Sequence, residues 1–523
     1  MLIRRMISVA AVILTLGPLA LAGQQETAPV QITYQDLLGG LKNPTRWLTF
    51  SGDYNGQRHS PLKQLTPRNV AGLVPQWIFQ TDIPGMPGRG IENTPLMVDG
   101  ILYVTGNNNQ AWAIDGRTGR PIWNYRRRLP ANFIASVCCG PVNRGFGILG
   151  DRLYMGTLDA HLVALDRMTG KVIWDVPVGD LKKANAITAA PLVVKNLVII
   201  GVAGGDFSSR GYVDAYDAQS GERVWHFNTI PMPGDPGSES WPNADVAARG
   251  GGAVWVTGSY DPALNLVYYG TGNPNPDYYG DDREGDNLYT CSLVALDADT
   301  GKMRWHYQFT PHDVSDRDAT EPAVLVNAAY RGKPRKLLLH ADRNGFFYVL
   351  DRTSGELLLA KPFLRRVDWA TGVGADGRPR VTDPKGCPDD AANWSSAAFS
   401  PVTRLFYFLA LEECTGSPQG YPDQTGQRFL RALDIETGED RLGGAAARSG
   451  EGEDVDGVLA TAGGVVFYGK PNGGFEAVDE RDGKTLWRFE TNVRMKASPM
   501  TFEVGGKQYV AVAAGPNILC FGL

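Results

Sequence analysis

One short phrase recurs along this chain, and its spacing restricts the fold more than any other feature of the sequence. The clearest copy runs from Ala164 to Trp174 and reads Ala-x-Asp-x-x-Thr-Gly-x-x-x-Trp. Asp accepts backbone N–H groups in tight turns, and Gly takes the positive φ that other residues resist. The phrase therefore predicts a strand that ends at Asp166, a turn closed by Thr169 and Gly170, and a second strand that carries Trp174 to a neighbouring sheet.

The copies of this phrase are spaced like the blades of a propeller. Full copies end at Trp123, Trp174, Trp225, Trp305 and Trp487, weaker copies place Leu359 and Leu442 at the Trp position, and Trp77 lies in a half-copy without the turn. Neighbouring positions lie 45 to 54 residues apart, except for two gaps of 80 and 83 residues. Eight units of this length, each with four short strands, predict an all-β fold: an eight-bladed β-propeller whose first and last segments share one blade.

The first residues predict an exported protein. Two arginines precede an apolar run, and Ala20-Leu21-Ala22 offers a small-x-small cleavage site. This order is typical of a secretory signal peptide, and the run is too short to cross a bilayer. No cysteine follows the run, which argues against a lipid anchor. We expect a signal peptide over residues 1–22, no membrane anchor, and a single propeller domain over residues 23–523.

Composition supports a large globular core and argues against one class of partner. Hydrophobic residues make up 43% of the chain and charged residues 20%, which is typical of a folded protein. The formal net charge is −5, and removal of Arg4 and Arg5 with the signal peptide takes it to −7. No long run of Lys and Arg is present, so we expect no nucleic-acid partner.

Two of the six cysteines, Cys138 and Cys139, are adjacent in the sequence. Neighbouring Cα atoms lie about 3.8 Å apart, whereas a relaxed disulfide prefers roughly 4.4–6.8 Å. A bond between them would be strained, and backbone strain concentrates at functional sites. From spacing alone, two separate small core residues are an equally good interpretation.

The other four cysteines give weaker signals. Cys387 and Cys414 flank one long insertion and would staple it if they were paired, which the sequence leaves open. Cys291 and Cys520 lie in strand-like runs, where a buried free thiol is the expected state.

The two long gaps between repeats contain most of the remaining chemistry, because excess length must leave the blades as loops. The first gap carries three consecutive glycines and then Trp255, which would stack on a flat ligand or pack in the core. Asp316 and Asp318 follow the next repeat and would share one face of an extended segment, with Arg317 pointing away. Paired carboxylates suit a hard cation or a general base, although a solvated acidic loop is the plainer interpretation. The histidines never cluster in sequence, which disfavours zinc.

Taken together, these residues resemble one enzyme family. The chain is similar to the pyrroloquinoline-quinone (PQQ)-dependent alcohol dehydrogenases, the methanol and ethanol dehydrogenase family of quinoproteins, over essentially all of residues 47–512. The most specific marks are the vicinal cysteines followed by Arg144, the stretch over residues 210–217, and the stretch over residues 340–345. The sequence contains no Cys-x-x-Cys-His, the motif of covalent haem attachment.

The resemblance assigns roles to individual residues. It implies a disulfide between Cys138 and Cys139 on one face of PQQ and the Trp255 indole on the other. The remaining positions that match cofactor contacts are Glu92, Arg144, Thr188, Gly204, Gly205, Arg343 and Asn393. Those that match metal ligands are Asp206, Asn273, Asp316 and Asp318. Asp316 matches the general base, and Arg343 matches the arginine beside the reactive carbonyl.

The resemblance also implies an activity. We expect a periplasmic quinoprotein that oxidises a small primary alcohol to an aldehyde by hydride transfer to metal-bound PQQ, with a soluble cytochrome c as electron acceptor. A homodimer is compatible with this interpretation. One alternative is a PQQ dehydrogenase that acts on aldehydes or polyols. Another is a cofactor-free propeller scaffold like the outer-membrane-assembly lipoproteins, which need neither vicinal cysteines nor paired aspartates.

Asp318 bears on the identity of the metal. Relatives of the lanthanide-dependent type carry a second Asp two residues after the base, as this chain does, whereas calcium-type relatives carry a small neutral residue. Asp206, Asp316 and Asp318 together would balance a trivalent ion, so we expect a lanthanide(III) rather than Ca²⁺. The competing account is that Asp318 pairs with Arg317, or compensates in a calcium site for Asp206, which replaces a longer Glu of many relatives. Ala253 replaces a threonine that usually contacts the cofactor.

Overall fold

The structure is a computed structural model that describes residues 30–81, 90–131, 133–388, 390–412, 427–443, 448–451, 456–470 and 472–523. The signal peptide predicted over residues 1–22 lies outside this range. The described residues form eight blades around a central funnel, so the predicted all-β, eight-bladed propeller is confirmed.

Each blade is an antiparallel sheet of four strands. Blade 1 contains Leu96–Val98, Ile101–Gly106, Gln110–Asp115 and Pro121–Arg126; blade 2 contains Gly147–Leu149, Arg152–Gly156, His161–Asp166 and Val172–Pro177; blade 3 contains Leu192–Val194, Leu197–Gly201, Tyr212–Asp217 and Arg223–Asn228; blade 4 contains Ser259–Asp261, Leu266–Gly270, Ser292–Asp297 and Met303–Gln308.

The second half of the ring repeats this plan. Blade 5 contains Val324–Tyr330, Lys333–Ala341, Phe346–Asp351 and Glu356–Pro362; blade 6 contains Ala398–Ser400, Leu405–Glu412, Gln427–Asp434 and Arg448–Glu451; blade 7 contains Val458–Thr461, Val465–Gly469, Gly474–Asp479 and Thr485–Glu490; blade 8 contains Met500–Val504, Lys507–Ala514, Asn517–Gly522 and, as its outer strand, Val74–Gln80. The short strands Arg46–Trp47 and His59–Ser60 add a fifth strand to the sheets of blades 1 and 7, respectively. Outside the blades lie the helices Tyr34–Gly39 and Ala244–Ala247 and a hairpin of Ala370–Val373 with Pro379–Val381.

Blade 8 closes the ring, because it joins the two ends of the chain. Val74–Gln80 pairs antiparallel with Asn517–Gly522, which supplies the last described strand. The prediction that the first and last segments share a blade is therefore confirmed.

Residues 30–60, which we call the floor segment, contact the first strand of every blade except blade 2, where they contact the turn that follows it. Ile32 pairs with Gly150 after the first strand of blade 2, and Trp47 pairs with Met97 in blade 1. The other hydrogen bonds join the floor to the remaining blades: Tyr54 Oη to Val193 O in blade 3, and Tyr260 N to Tyr54 O, Leu325 N to Asn55 O, Phe399 N to Gln57 O, Ala460 N to Arg58 O and Glu503 N to Pro44 O in blades 4 to 8. The segment thus lies across one face of the whole ring.

Adjacent blades interlock through the repeated phrase. Gly170 of the blade 2 turn has φ +68°, and a Cβ atom placed on it would lie 2.7 Å from the ring of Trp123 in blade 1. The Trp123 indole also donates to Arg167 O in the same turn at 2.9 Å. Equivalent contacts join Trp77 to Gly119, Trp174 to Gly221, Trp225 to Gly301, Trp305 to Gly355, Leu359 to Gly438 and Leu442 to Gly483. Seven of the eight positions therefore dock on a glycine of the next blade, and the eighth, Trp487, instead donates from its indole to Leu73 O at 3.0 Å.

One copy of the phrase departs from the prediction. Leu442 was expected in a strand, but it lies in a bend, and the outer strand of blade 6 is described only over Arg448–Glu451. Leu442 nevertheless reaches Gly483, so the docking contact is kept although the strand is not.

Strand order places the candidate site on the face opposite the floor segment. In a four-stranded meander, the loops before the first strand and between the second and third strands lie at the same end of the blade. Every predicted site residue lies in one of these two kinds of loop. Among the described residues no helix is long and apolar enough to cross a membrane.

The contact between the Trp of one blade and the glycine of the next can be tested by its effect on the free energy of unfolding. Gly170→Ala should lower the free energy of unfolding by about 1–3 kcal/mol more than Gly332→Ala, because only Gly170 is packed against an indole ring. Gly332 has a similar φ of +77° and open space around it, so it isolates the backbone strain. Urea unfolding of the two variants measures the difference. Equal losses of unfolding free energy in the two variants would mean that the contact between Gly170 and Trp123 adds nothing to the stability.

Candidate active site

Arg144 organises one half of the candidate site. Its guanidinium lies 2.6 Å from a carboxylate oxygen of Glu92, and both side chains are buried. It stacks on two indole rings, 5.0 Å from the centroid of Trp255 and 4.5 Å from that of Trp394. The Thr188 hydroxyl donates to the backbone oxygen of Trp255 at 3.1 Å. Four predicted cofactor residues from four loops are thus brought together.

The vicinal cysteines lie on the same loop as Arg144. Cys138 and Cys139 form a disulfide, with Cα atoms 3.8 Å apart. The predicted vicinal disulfide is confirmed. Cys291 and Cys520 are buried and free, as expected. Cys387 is buried and disulfide-bonded, but Cys414 lies outside the described residues, so their pairing stays a prediction.

Arg343 organises the other half of the site through three carboxylates. Its nitrogens lie 3.2 Å from Asp316, 3.4 Å from Asp318 and 3.3 Å from Asp390. Asn393 donates to Asp390 at 3.1 Å, which places this predicted cofactor residue in the same network. Since Trp394 follows Asn393 and contacts Arg144, the two halves meet at one loop.

Asp318 also contacts the loop that carries Asn273. The Asn273 backbone N–H donates to Asp318 at 2.7 Å, and the Asn273 side chain donates to Asp277 at 2.9 Å. Asn275, two residues on, donates to the backbone oxygen of Asp206 at 3.2 Å. The four predicted metal ligands therefore lie on three loops joined by hydrogen bonds.

The glycines before Asp206 allow close packing of the backbone. Gly204 has φ +110°, and a Cβ atom there would lie 2.1 Å from the carbonyl oxygen of Ala184. Gly205 begins the short 3₁₀ helix Gly205–Phe207, and a Cβ on it would lie 3.1 Å from Ala253. Only glycine can adopt this positive φ and also leave room for the carbonyl oxygen of Ala184 at position 204. This stretch of backbone therefore holds Asp206 in place.

The carboxyl groups of Asp316, Asp318 and Asp277 lie buried close to other carboxylates, and their pKa values are raised as a result. Burial raises the pKa of Asp318 to about 7, and nearby Asp206 adds to the rise although Arg343 opposes it. Burial also raises the pKa of Asp316 well above its ordinary value, against the attraction of Arg343 and with repulsion from Asp318 and Asp206. The pKa of Asp277 is raised to about 6 by burial and by Asp206. A single arginine does not neutralise this group.

The residue between the two aspartates points elsewhere. Arg317 is buried, and its guanidinium donates to the carbonyl oxygens of Pro384, Gly386 and Pro388. It lies 3.7 Å from a carboxylate oxygen of Asp313. We predicted that Asp316 and Asp318 lie on one side of this segment and that Arg317 points away from them. This prediction is confirmed, since Asp316 and Asp318 both face Arg343.

The residues present fit a hard cation and a planar, anionic cofactor. Carboxylate and amide oxygens from Asp206, Asn273, Asp316 and Asp318 are the ligand type that such cations prefer, and positive charge would relieve their repulsion. Buried Arg144 has an Nε with no hydrogen-bond partner among the described residues, beside an indole face. That donor suits a carboxylate of the cofactor. PQQ supplies a quinone that accepts two electrons, which no side chain does.

Sequence reasoning missed several residues of this region. Asp390 and Trp394 stand close to the predicted Asn393, and Asp277 follows Asn273, so proximity in sequence was the available signal. Within the described ranges, one group of Asp, Glu, His or Cys side chains has three ligand atoms all within 4.8 Å of one another: Glu321, His340 and Asp342. The histidine count gave no hint of it, because the partners of His340 are carboxylates, Asp342 two residues on and Glu321 from another loop.

The sequence matches the family described as the glucose/ethanol/alcohol dehydrogenase β-propeller domain with PQQ, over residues 47–360 and 444–510. The quinoprotein alcohol dehydrogenase PedH of Pseudomonas putida is 37% identical over 97% of this chain and 91% of its own length. The quinohemoprotein alcohol dehydrogenase ADH IIB of Pseudomonas putida is 39% identical over 95% of this chain and 76% of its own length.

Solved structures agree with these sequence matches. A europium-containing methanol dehydrogenase superposes with a TM-score of 0.83 at 32% identity, covering 94% of this chain and all of that one. The quinohemoprotein alcohol dehydrogenase of Comamonas testosteroni gives a TM-score of 0.82 at 34% identity, covering 91% of this chain and 80% of that one.

The propeller, its funnel and these relatives define a quinoprotein oxidoreductase. The chain belongs to the PQQ-dependent alcohol dehydrogenase family.

The crowded carboxylates generate a prediction for the metal-free protein. A raised pKa means that the folded state holds the Asp318 proton more tightly than the unfolded state. The stability that this proton contributes is fully present below pH 4 and is lost as pH rises through about 7. Asp318→Asn should therefore be more stable than wild type above pH 7, by about 1–3 kcal/mol, and show little advantage at pH 4.

Chelator-treated protein unfolded by urea between pH 4 and 8 gives the measurement. Asp297→Asn is the control with the opposite sign. Burial alone would raise the pKa of Asp297, but hydrogen bonds from Arg304 and Thr300 lower it overall, so this variant should lose stability at neutral pH. Parallel pH profiles for wild type and Asp318→Asn would contradict the prediction.

Proposed function

We propose that this protein oxidises a primary alcohol to an aldehyde, with Asp316 as the general base, Arg343 as the group that orients it, and PQQ with a bound cation as the electron acceptor. The observation that carries the proposal is the contact of Arg343 with both Asp316 and Asp318 in the funnel of a chain from this family. Bound PQQ supplies the two-electron sink, and the cation makes it a better electrophile.

The side chains have complementary tasks in this scheme. A cation held by Asp206, Asn273, Asp316 and Asp318 would lower the pKa values that burial and repulsion raise, so Asp316 would be ionised and able to take the alcohol proton. Arg343 lies between Asp316 and Asp390 and fixes the carboxylate in place. Arg144, neutralised by Glu92, would hold the cofactor against Trp255.

We further propose that the cation is a lanthanide(III). Asp318 faces the same arginine as Asp316, so its carboxylate is available on that side of the segment. Together with Asp206 this gives three carboxylates, which balance a trivalent ion. The europium named for one structural relative supports this choice.

For the acceptor we propose a separate basic protein such as a soluble cytochrome c, met in the periplasm after export. The net charge of −7 after removal of Arg4 and Arg5 suits a charge-steered encounter. Small primary alcohols are the proposed substrates, with aldehydes and polyols as the alternative. A panel of these compounds decides between them.

Alcohol-dependent dye reduction by protein reconstituted with PQQ and a cation tests the function. Asp316→Asn should lower kcat by roughly 10²–10⁴-fold, because an amide cannot accept the proton. Asp390→Asn is the matched variant, since it also removes a carboxylate from Arg343 but leaves the base, and its loss should be much smaller. Equal losses, or full activity in Asp316→Asn, would reject the assigned base. Replacing the dye with a basic cytochrome c at increasing salt tests the acceptor.

Metal exchange tests the lanthanide. Wild type reconstituted with La³⁺ should turn over faster than with Ca²⁺, because a trivalent ion is the stronger Lewis acid. Asp318→Ala should lose that preference, because it removes the third negative charge. Equal or better activity with Ca²⁺ in wild type, or a variant that still prefers La³⁺, would show that Asp318 does not select the metal.

A further inference from the structure

Glu321, His340 and Asp342 form a compact buried group that the alcohol oxidation proposed above does not use. His340 Nε2 lies 3.0 Å from an oxygen of Asp342 and 3.4 Å from an oxygen of Glu321. The three residues are 6%, 1% and 0% exposed, respectively, for Glu321, His340 and Asp342. We call them the Glu–His–Asp cluster.

The hydrogen bonds of the described residues do not satisfy this cluster. Neither oxygen of Glu321 has a hydrogen-bond partner among them, and His340 Nδ1 has none either. A buried carboxylate without partners is costly, and the histidine–aspartate contact does nothing for Glu321. Burial raises the pKa of Glu321, and the charge of Asp342 adds to that rise. Burial also raises the pKa of Asp342, although its hydrogen bond with His340 opposes the rise. The cluster is therefore short of positive charge.

We propose that Glu321, His340 and Asp342 bind a divalent transition-metal ion, with Zn²⁺ as the reference case, at a site separate from the hard cation near Asp318. One imidazole nitrogen and two carboxylate oxygens form a donor set that zinc accepts. Two carboxylates with a neutral histidine balance a divalent ion. The proposal does not depend on which substrate the enzyme oxidises.

The observed distances agree with such an ion. Ligand atoms about 2.0–2.2 Å from a tetrahedral zinc are roughly 3.4 Å apart. The two distances from His340 Nε2 are 3.0 and 3.4 Å. In the structure Nε2 makes a hydrogen bond with Asp342, so a metal would have to displace the ring proton from Nε2, and Nδ1, which has no partner among the described residues, is free to carry that proton instead.

A small cavity beside Glu321 has room for a fourth ligand of the ion. Glu321 lines a cavity of about 10 Å³, together with Asn393, Ser395, Ala392 and Phe408. A cavity of this size holds about one water. His340 and Asp342 do not line this cavity, so a water in it would approach the ion from the side of Glu321 and would be the fourth ligand of a four-coordinate site. The ring of Phe309 stacks on that of His340, with centroids 4.4 Å apart. Metal binding would release the protons that the carboxyl groups otherwise hold.

Metal analysis of the loaded enzyme tests the proposal. The full chain, reconstituted with PQQ and La³⁺, is incubated with excess Zn²⁺, desalted in a weak chelator and analysed by inductively coupled plasma mass spectrometry. We expect about one zinc per chain in wild type and at least roughly tenfold less in Glu321→Gln, an isosteric change that removes one charge and one ligand. His340→Gln should lose zinc equally. If His340→Gln does not fold, Glu321→Gln alone decides.

Two controls separate this site from others. His312→Gln removes a histidine outside the cluster and should keep the zinc. Asp318→Asn should change the lanthanum content and keep the zinc, so failure of the hard-cation site and of the zinc site are distinguishable. Cobalt(II) in place of zinc should give the visible absorption of a four-coordinate site. No zinc above background in wild type, or equal zinc in wild type and Glu321→Gln, would overturn the proposal.

Discussion

The pairing of Val74–Gln80 with Asn517–Gly522 is the constraint on which the site depends. The predicted cofactor and metal residues come from loops of six different blades, and they face one another only if the ring is closed. A propeller blade has no core of its own, because each sheet is buried by its neighbours. The docked Trp and Leu side chains fix the angle between those neighbours, so the position of each loop follows from the contact one blade away.

Within the funnel, electrostatics replaces packing as the organising force. Arg343 faces Asp316, Asp318 and Asp390, with Asp206 and Asp277 close enough to raise the pKa values around them. Hydrophobic side chains in these positions would give a more stable protein, since buried charges are costly. The unfavourable free energy of these buried charges is offset by the packing of the eight blades, which hold the loops in place. A rigid scaffold can support a strained binding site in this way.

The fold was largely readable from the sequence, because a turn that needs Asp and Gly leaves the same signature in every blade. The exception, Leu442, shows the limit: the repeat predicts that this side chain docks on Gly483, but it does not determine whether the residue lies in a strand. For the site, resemblance named residues that the structure places in contact, such as Glu92 with Arg144. Contacts such as Asp390 with Arg343 or Glu321 with His340 join different loops and leave no local pattern, so the sequence could not predict them.

The floor segment has a consequence for how such a protein evolves. Repeat proteins commonly gain or lose units by duplication, because each unit touches only its neighbours. Here the carbonyl oxygens of Tyr54, Asn55, Gln57 and Arg58 meet blades 4, 5, 6 and 7 in succession. A ninth blade would widen the ring, and its first strand would have no carbonyl oxygen of the floor segment to donate to. Loss of a blade would leave one of these carbonyl oxygens without its donor. The floor segment therefore matches a ring of eight blades, whereas the loops on the opposite face can change in length and sequence without altering these hydrogen bonds.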